Sequence, residues 1–119
     1  MIRGSCHCGA VHFELARTPE WLTSCNCSVC RRLGVLWAYA DASEIKLLRE
    51  PDATFGYVWG DRTLAFHSCR TCGCSTHWES LQPERSSRMA VNCRLCDPDV
   101  IAGLRTRRFD GADSWTYLD

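Results

Sequence analysis

Three cysteines lie within six residues of one another, at Cys25, Cys27 and Cys30. Thiolates at this spacing can surround one metal ion, and zinc, which accepts sulfur ligands readily, takes four ligands in all. Three protein ligands plus an open position are typical of catalytic zinc, where water or substrate occupies the fourth place. These residues, called the cysteine trio below, therefore predict a metal centre that also does chemistry.

The fourth position has a competing interpretation. Cys74, Cys93, Cys96, His67 or His77 would complete the trio, and a saturated site of that kind holds its metal for structure alone. The number of ligands does not decide between an open and a closed site, so both interpretations stay open at the level of the sequence.

Two further cysteine pairs are spaced so that together they could bind a second metal ion. The stretch "SCHCG" contains Cys6 and Cys8, and "SCRTCGC" contains Cys69 and Cys72, followed by Gly73. A C-x-x-C turn followed by glycine is typical of a zinc knuckle, in which both thiolates point into one concavity. The entropy cost of closing a long loop grows only logarithmically with its length. The pairs therefore predict a saturated structural zinc site that clamps the N-terminal strand to a later hairpin.

Three cysteines remain after this assignment: Cys74, Cys93 and Cys96. The last two form another C-x-x-C, but no free partner pair is left for it. Buried, unreactive thiol is the more frequent state of such residues, and metal ligation or a thiol redox sensor is the alternative.

A three-thiolate zinc site favours one kind of chemistry. Zinc with one open position lowers the pKa of a substrate thiol that becomes the fourth ligand. A thiolate adds to an aldehyde carbon, and the reverse step releases the thiolate. Because three thiolates make the ion electron-rich, we expect thiol activation rather than hydrolysis. Trp37, Tyr39 and Trp59 are candidates for a pocket wall or for the core, and Arg31 and Arg32 for contact with a substrate carboxylate or with solvent.

The elements that must position these residues are mainly strands. Short segments with alternating or continuous apolar residues predict strands over Val11 to Leu15, Leu36 to Ala40, Thr54 to Trp59, Thr63 to Ser68 and Arg88 to Asn92. A hairpin connection is expected at "GDR" after Trp59. Helix signals are weak and predict only short turns over Val29 to Leu33 and Pro98 to Leu104.

Length and composition limit the classes of protein to which the chain can belong. A chain of 119 residues with 45% hydrophobic and 24% charged residues predicts one globular domain over residues 1–119. Its 14 basic and 14 acidic residues cancel, which argues against a nucleic-acid surface. The basic run Arg105 to Phe109 is interpreted as a solvated face.

The sequence also gives an expectation about location. No segment approaches the ~20 apolar residues of a membrane span, and no signal peptide is visible at the N-terminus. We therefore expect a cytoplasmic protein without a membrane partner, in which clustered cysteines bind metal more often than they form disulfides.

Three motifs together resemble one known family. They are "GSCHCGAVHFE" from Gly4, "CNCSVCRRLG" from Cys25 and "FHSCRTCGC" from Phe66. Their order and spacing are similar to those of the glutathione-dependent formaldehyde-activating enzyme (GFA) family, also called the CENP-V/GFA domain. The late segment "AVNCRLCD" from Ala90 resembles a further segment of that family.

The resemblance implies a fold, two zinc sites and an activity. The fold is the mainly β, Mss4-like β-tent with minor helix and zinc at the joins of its sheets. The implied sites are a structural zinc on Cys6, Cys8, Cys69 and Cys72 and a catalytic-type zinc on Cys25, Cys27 and Cys30. The implied activity is that of a carbon–sulfur lyase acting on adducts of glutathione or a similar thiol with an aldehyde such as formaldehyde. A non-enzymatic zinc-stabilised binding module remains the main alternative.

Overall fold

The computed structural model describes residues 1–119 and contains ten strands and two short helices. The strands are β1 (Ile2–Ser5), β2 (His12–Leu15), β3 (Trp21–Cys25), β4 (Trp37–Asp41), β5 (Ile45–Leu48), β6 (Thr54–Tyr57), β7 (Leu64–Cys69), β8 (Ser75–Ser80), β9 (Arg88–Asn92) and β10 (Arg105–Phe109). The helices are α1 (Cys30–Leu33) and α2 (Pro98–Ile101). The prediction of a mainly β fold with minor helix is confirmed.

The strands form two sheets. A small sheet has the order β1-β2-β5, and a seven-stranded sheet has the order β10-β3-β4-β9-β8-β7-β6. Neighbouring strands are antiparallel except for β10, which lies parallel to β3 at the edge of the large sheet. This parallel pair brings the end of the chain beside Cys25, since Phe109 is its partner in the register.

Strand β4 divides the hydrophobic core into two parts. Successive side chains of a strand point to opposite faces, so Ala38 joins one cluster of buried residues while Trp37 joins another. The first cluster contains Phe13 and Leu15 of the small sheet, which therefore packs against this face of the large sheet. The second contains Cys30, so the cysteine trio belongs to the opposite face.

Close packing in the small sheet depends on one glycine. A Cβ atom at Gly4 would lie 2.3 Å from Cζ of Phe13, its partner across the β1–β2 pair. The buried phenyl ring covers the glycine backbone, which fixes the register of the N-terminal strand just before Cys6.

All five strands predicted from the sequence are present. Arg88–Asn92 has the predicted bounds, and the ends of the other four are shifted by at most two residues. Two details were wrong: the sixth strand ends at Tyr57, so that Trp59 lies in the following turn, and the last helix ends at Ile101. Five strands went unpredicted, namely β1, β3, β5, β8 and β10. Most of these are short or carry charged and small residues, which weaken the apolar alternation.

The basic run Arg105 to Phe109 forms β10. Arg105, Thr106 and Arg108 are exposed, which agrees with the interpretation as a solvated face, whereas Arg107 is partly buried. The guanidinium of Arg107 lies 4.8 Å from the ring centre of Trp21 and 4.1 Å from that of Tyr117. It also contacts the Asp119 carboxylate at 3.6 Å. The cation thus secures the C-terminal residues against the sheet edge.

No helix is long and apolar enough to cross a membrane.

A buried histidine in the large sheet predicts a pH effect on stability. Burial, and then His67 and Arg49, lowers the pKa of His77 from the ordinary 6.5 to about 3. The unfolded chain therefore binds a proton that the folded chain excludes, and stability is lost as pH falls from 6.5 towards 3. We expect this histidine alone to contribute a loss of up to about 1.4 kcal/mol per pH unit within that window.

The measurement is denaturant unfolding at several pH values, compared with His77→Phe, which keeps a flat ring but cannot titrate. Protonation of the thiols affects both proteins equally and cancels in the difference. The wild type should lose stability faster below pH 6.5, and parallel curves for the two proteins would contradict the assignment.

Candidate metal centres

The first cysteine group has the geometry of a tetrahedral metal site. Sγ of Cys6 lies 3.7 Å from Sγ of Cys8, which lies 3.6 Å from Sγ of Cys69. With Cys72 included, all four sulfurs lie within 4.8 Å of one another. Four sulfurs about 2.3 Å from one zinc ion would be separated by about 3.8 Å. These residues, called the four-cysteine group below, fit a zinc ion closely.

Backbone amides surround this group in the manner of a knuckle. The amide of Gly73 donates to the carbonyl oxygen of Cys69 at 2.9 Å, and this glycine has φ 81°, in the left-handed region. The amide of Val11 donates to Sγ of Cys6 at 3.3 Å. Hydrogen bonds from backbone amides, first that of Cys74, lower the pKa of Cys72 to about 5. The local backbone therefore favours thiolates, the form that binds metal.

The cysteine trio is the second group, and its sulfurs also lie within 4.8 Å of one another. The end of β3 supplies Cys25, the turn supplies Cys27, and the first residue of α1 is Cys30. The amide of Cys30 donates to Sγ of Cys27 at 3.4 Å, and the indole N–H of Trp37 donates to Sγ of Cys30 at 3.3 Å. The buried indole of Trp37 thus holds the thiol of Cys30 in place.

The pKa values of two thiols in the trio, Cys25 and Cys30, are shifted in opposite directions. A hydrogen bond from Cys30, helped by the backbone amides of Cys27 and Gly111, lowers the pKa of Cys25 to about 6 although burial opposes it. The same hydrogen bond, followed by burial, raises the pKa of Cys30. The thiol of Cys25 is therefore more acidic than that of Cys30.

None of the residues proposed to close the trio belongs to this group. Cys74 packs beside the four-cysteine group, Cys93 and Cys96 lie in the core cluster between the sheets, and His67 and His77 form a group with Glu79. The fourth position therefore has no protein ligand. Cys93 and Cys96 are 0% and 4% exposed, in agreement with the interpretation as buried thiols.

The group of His67, His77 and Glu79 was missed because the histidines are ten residues apart and meet only across the β7–β8 pair. Their rings stack at 4.6 Å with planes 7° apart, and Nδ1 of His77 pairs with the hydroxyl group of Thr76 at 2.9 Å. His67 already bonds to Thr54 and to Glu79, each at 2.9 Å. We interpret the group as a polar network inside the sheet.

A turn near the C-terminus closes over the trio. The side chain of Asn26 donates to Asp110 at 3.0 Å and accepts from the amide of Ala112 at 3.0 Å. At the centre of this turn, a Cβ atom on Gly111 would lie 2.6 Å from Sγ of Cys25. Only a residue without a side chain leaves room for that thiol.

The trio opens into a cavity of about 750 Å³. Its floor is the face of the large sheet that carries Trp37, Tyr39, Phe66 and Trp78. Two of the three aromatic residues proposed from the sequence, Trp37 and Tyr39, therefore line the cavity floor, and the third, Trp59, lines its edge.

The rim of the cavity combines two loops. The turn between β6 and β7 supplies Trp59 and Asp61, while the C-terminal segment supplies Trp115 and Tyr117. A guanidinium also lies at the cavity, that of Arg88, stacked 4.5 Å above the ring centre of Tyr39.

Arg31 and Arg32 are exposed on α1 and do not line the cavity. Of the two roles considered for these residues, contact with solvent agrees with their exposure. The cation that does line the cavity is the guanidinium of Arg88.

The close contact at Gly111 leads to a testable prediction. In Gly111→Ala the new methyl group must displace Cys25 or the turn, so we expect weaker binding of one cobalt ion at the trio, with little change in melting temperature. Cobalt titration followed by thiolate-to-metal absorption measures this. Gly103→Ala is the matched control, because its Cβ has nothing nearer than a carbonyl oxygen at 3.9 Å. Equal cobalt affinity in both variants would show that the turn yields rather than the thiol.

Comparison with known proteins agrees with this geometry. A solved structure of a protein from Rhodobacter sphaeroides is 31% identical to this chain, with a TM-score of 0.71. The match covers 88% of this chain and 99% of that one. A family model described as glutathione-dependent formaldehyde-activating enzyme matches residues 1–102. Because this match spans most of the sequence, the chain belongs to the GFA family.

Proposed function

We propose that this chain is a zinc-dependent carbon–sulfur lyase acting on adducts of a small thiol, such as glutathione, with an aldehyde. The observation that carries the proposal is the cysteine trio, three thiols without a fourth protein ligand at the wall of a cavity. A site built only for stability has no need of an open position facing a cavity. The family description names glutathione and formaldehyde, which agrees with thiol and aldehyde as the reacting groups.

We assign a different role to each cysteine group. The four-cysteine group joins positions 6 and 8 to positions 69 and 72, so its zinc cross-links distant segments and is structural. The trio lies within six residues, so its zinc closes only a short loop and adds little to global stability. Cys25, Cys27 and Cys30 are therefore proposed as the residues of the catalytic-type site.

The reaction needs only one bond cleavage and one proton transfer. Cys25, Cys27 and Cys30 would hold the zinc ion, which would supply stabilisation of the substrate sulfur as a thiolate. In the breakdown direction the hydroxyl group of the adduct loses its proton, the carbonyl bond forms, and the carbon–sulfur bond breaks with its electron pair moving to sulfur. The products are aldehyde, thiolate and one proton, and addition is the reverse.

Residues of the cavity contribute orientation and exclusion of water. The hydrogen bond from Trp37 holds Cys30 in place. Burial, and then the nearby Cys25 and Cys30, raises the pKa of Tyr39, so its hydroxyl group keeps its proton at neutral pH. That group is available to donate a hydrogen bond to the oxygen of the adduct.

The structural role of the four-cysteine group is tested by Cys69→Ser. Cys69 is 0% exposed, and structural zinc sites contribute about 10 kcal/mol or more in small zinc domains. That is comparable to the whole stability of a domain, about 5–15 kcal/mol. We expect the variant to lose one zinc and to fail to fold, as measured by circular dichroism and metal analysis. Cys74→Ser, next to the group but outside it, should fold normally, and a folded Cys69→Ser with full zinc content would refute the assignment.

The catalytic role of the trio is tested by Cys27→Ser. The fold should persist, zinc should fall from two ions per chain to one, and glutathione should no longer perturb the spectrum of the cobalt-substituted protein. Release of formaldehyde from its glutathione adduct should fall to the uncatalysed rate. The exposed neighbour variant Ser28→Ala should keep both ions and full activity.

Two outcomes would contradict this assignment. Unfolding of Cys27→Ser would make the trio structural, and retention of both ions would mean that another residue ligates in place of Cys27.

A further inference from the structure

We propose that the cavity selects an adduct with an aromatic or similarly bulky apolar group next to sulfur, rather than the one-carbon formaldehyde adduct. The inference rests on the proposed function, since it names the substrate class of the same site. It follows from the size of the cavity, its charge and the origin of its rim.

The cavity is larger and more apolar than a one-carbon adduct requires. Its volume is about 750 Å³, and ten of its 18 lining residues, apart from the cysteine trio, are aliphatic or aromatic. A hydroxymethyl group would leave most of this surface in contact with water, whereas an aromatic ring would cover it and displace that water. Aromatic walls also favour offset or edge-on packing with a further ring.

The charges of the cavity argue against recognition based on the peptide part of glutathione. Asp61 and Arg88 are the only charged side chains that line it besides the thiols of the trio. Glutathione carries two carboxylates and an ammonium group. Arg88 can pair with one carboxylate and Asp61 with the ammonium group, which leaves the second carboxylate without a charged partner. We therefore expect an apolar part of the substrate to supply most of the affinity.

The rim holds one tryptophan in an unusual conformation. Trp115 is 71% exposed and has φ 59°, which is rare for a bulky residue and persists only where neighbouring contacts enforce it. The enforcing contacts are hydrogen bonds within the turn. The amide of Trp115 donates to the carbonyl oxygen of Asp110 at 2.7 Å, and Ser114 donates twice to the carboxylate of Asp110. Hydrogen bonds of the turn, rather than burial of the indole, thus hold the exposed Trp115 at the cavity.

Part of the rim lies outside the region matched by the family model. That match ends at residue 102, whereas Phe109, Gly111, Trp115 and Tyr117 all line the cavity. The ring of Phe109 packs edge-on at 5.0 Å from the ring of Trp115 and 5.0 Å from that of Tyr117. These aromatic residues therefore lie outside the matched family region.

The experiment compares two blocked thiols, S-benzylglutathione and S-methylglutathione, on the zinc-loaded protein. Neither has a free thiol, so binding reports on the cavity rather than on thiolate ligation. A single methylene group in an apolar pocket changes affinity by about tenfold or more, so we expect the benzyl compound to bind at least tenfold more tightly. Isothermal titration calorimetry gives both dissociation constants.

A matched pair of variants locates the effect. Trp59→Ala, at the rim, should remove most of the preference for the benzyl compound without changing the fold, because this side chain is 39% exposed. Tyr57→Ala removes a side chain that is 55% exposed and outside the cavity lining, and it should keep the full preference. Equal binding of the two blocked thiols, or an equal loss in both variants, would overturn the inference.

Turnover separates this inference from the proposed function. Adducts of glutathione with benzaldehyde and of benzyl mercaptan with formaldehyde show whether the aldehyde or the thiol carries the ring. If only the glutathione–formaldehyde adduct is cleaved, the substrate class is wrong while the lyase stands. If no adduct is cleaved although the benzyl preference is present and depends on Trp59, the lyase proposal fails while the aromatic specificity of the cavity stands.

Discussion

The alternation of side chains along β4 is the constraint on which the rest of the structure depends. This strand lies inside the large sheet and is paired over five positions with β9. One set of its side chains packs towards the small sheet, while Trp37 and Tyr39 face the side that carries the trio. A shift of the register by one residue would exchange these faces. The same strand pairing therefore determines which side chains are buried between the sheets and places the indole of Trp37 beside Cys30.

The two cysteine groups use the chain in different ways. The four-cysteine group draws on strand ends and turns from both halves of the sequence, and buried Cys6 and Cys69 form a small core of their own with Val11. The trio occupies one short segment, whose position depends on β3 behind it, Trp37 below it and the C-terminal turn above it. The position of the trio thus depends on tertiary contacts around one short segment, whereas the four-cysteine group itself brings distant segments of the chain together.

The grouping of the cysteines could be predicted from the sequence because cysteine spacing is local information. C-x-C and C-x-x-C turns largely determine their own backbone geometry, and the division of seven cysteines into groups of four and three agrees with the structure. The strands with strong apolar alternation were also predictable. Strands such as Ser75–Ser80 were not, since their small and polar residues gain stability from neighbouring strands rather than from their own pattern.

The cavity could not be predicted, because its walls come from parts of the chain that meet only in the folded state. Gly111 is distant in sequence from Cys25, and nothing in the sequence indicates that they touch. The arginine that lines the cavity could not be predicted for the same reason. Arg31 and Arg32 are adjacent to the trio in sequence but lie outside the cavity, whereas Arg88 reaches it from another strand.

The parallel pairing of β10 with β3 has a consequence for how such a site can diversify. The pairing places the final residues beside Cys25 through backbone hydrogen bonds, which any sequence able to form a strand can make. Side chains beyond Phe109 can therefore vary in size and polarity while the thiols and their supporting strands stay unchanged. The end of the chain can thus change the wall of the cavity without any change to the cysteines themselves.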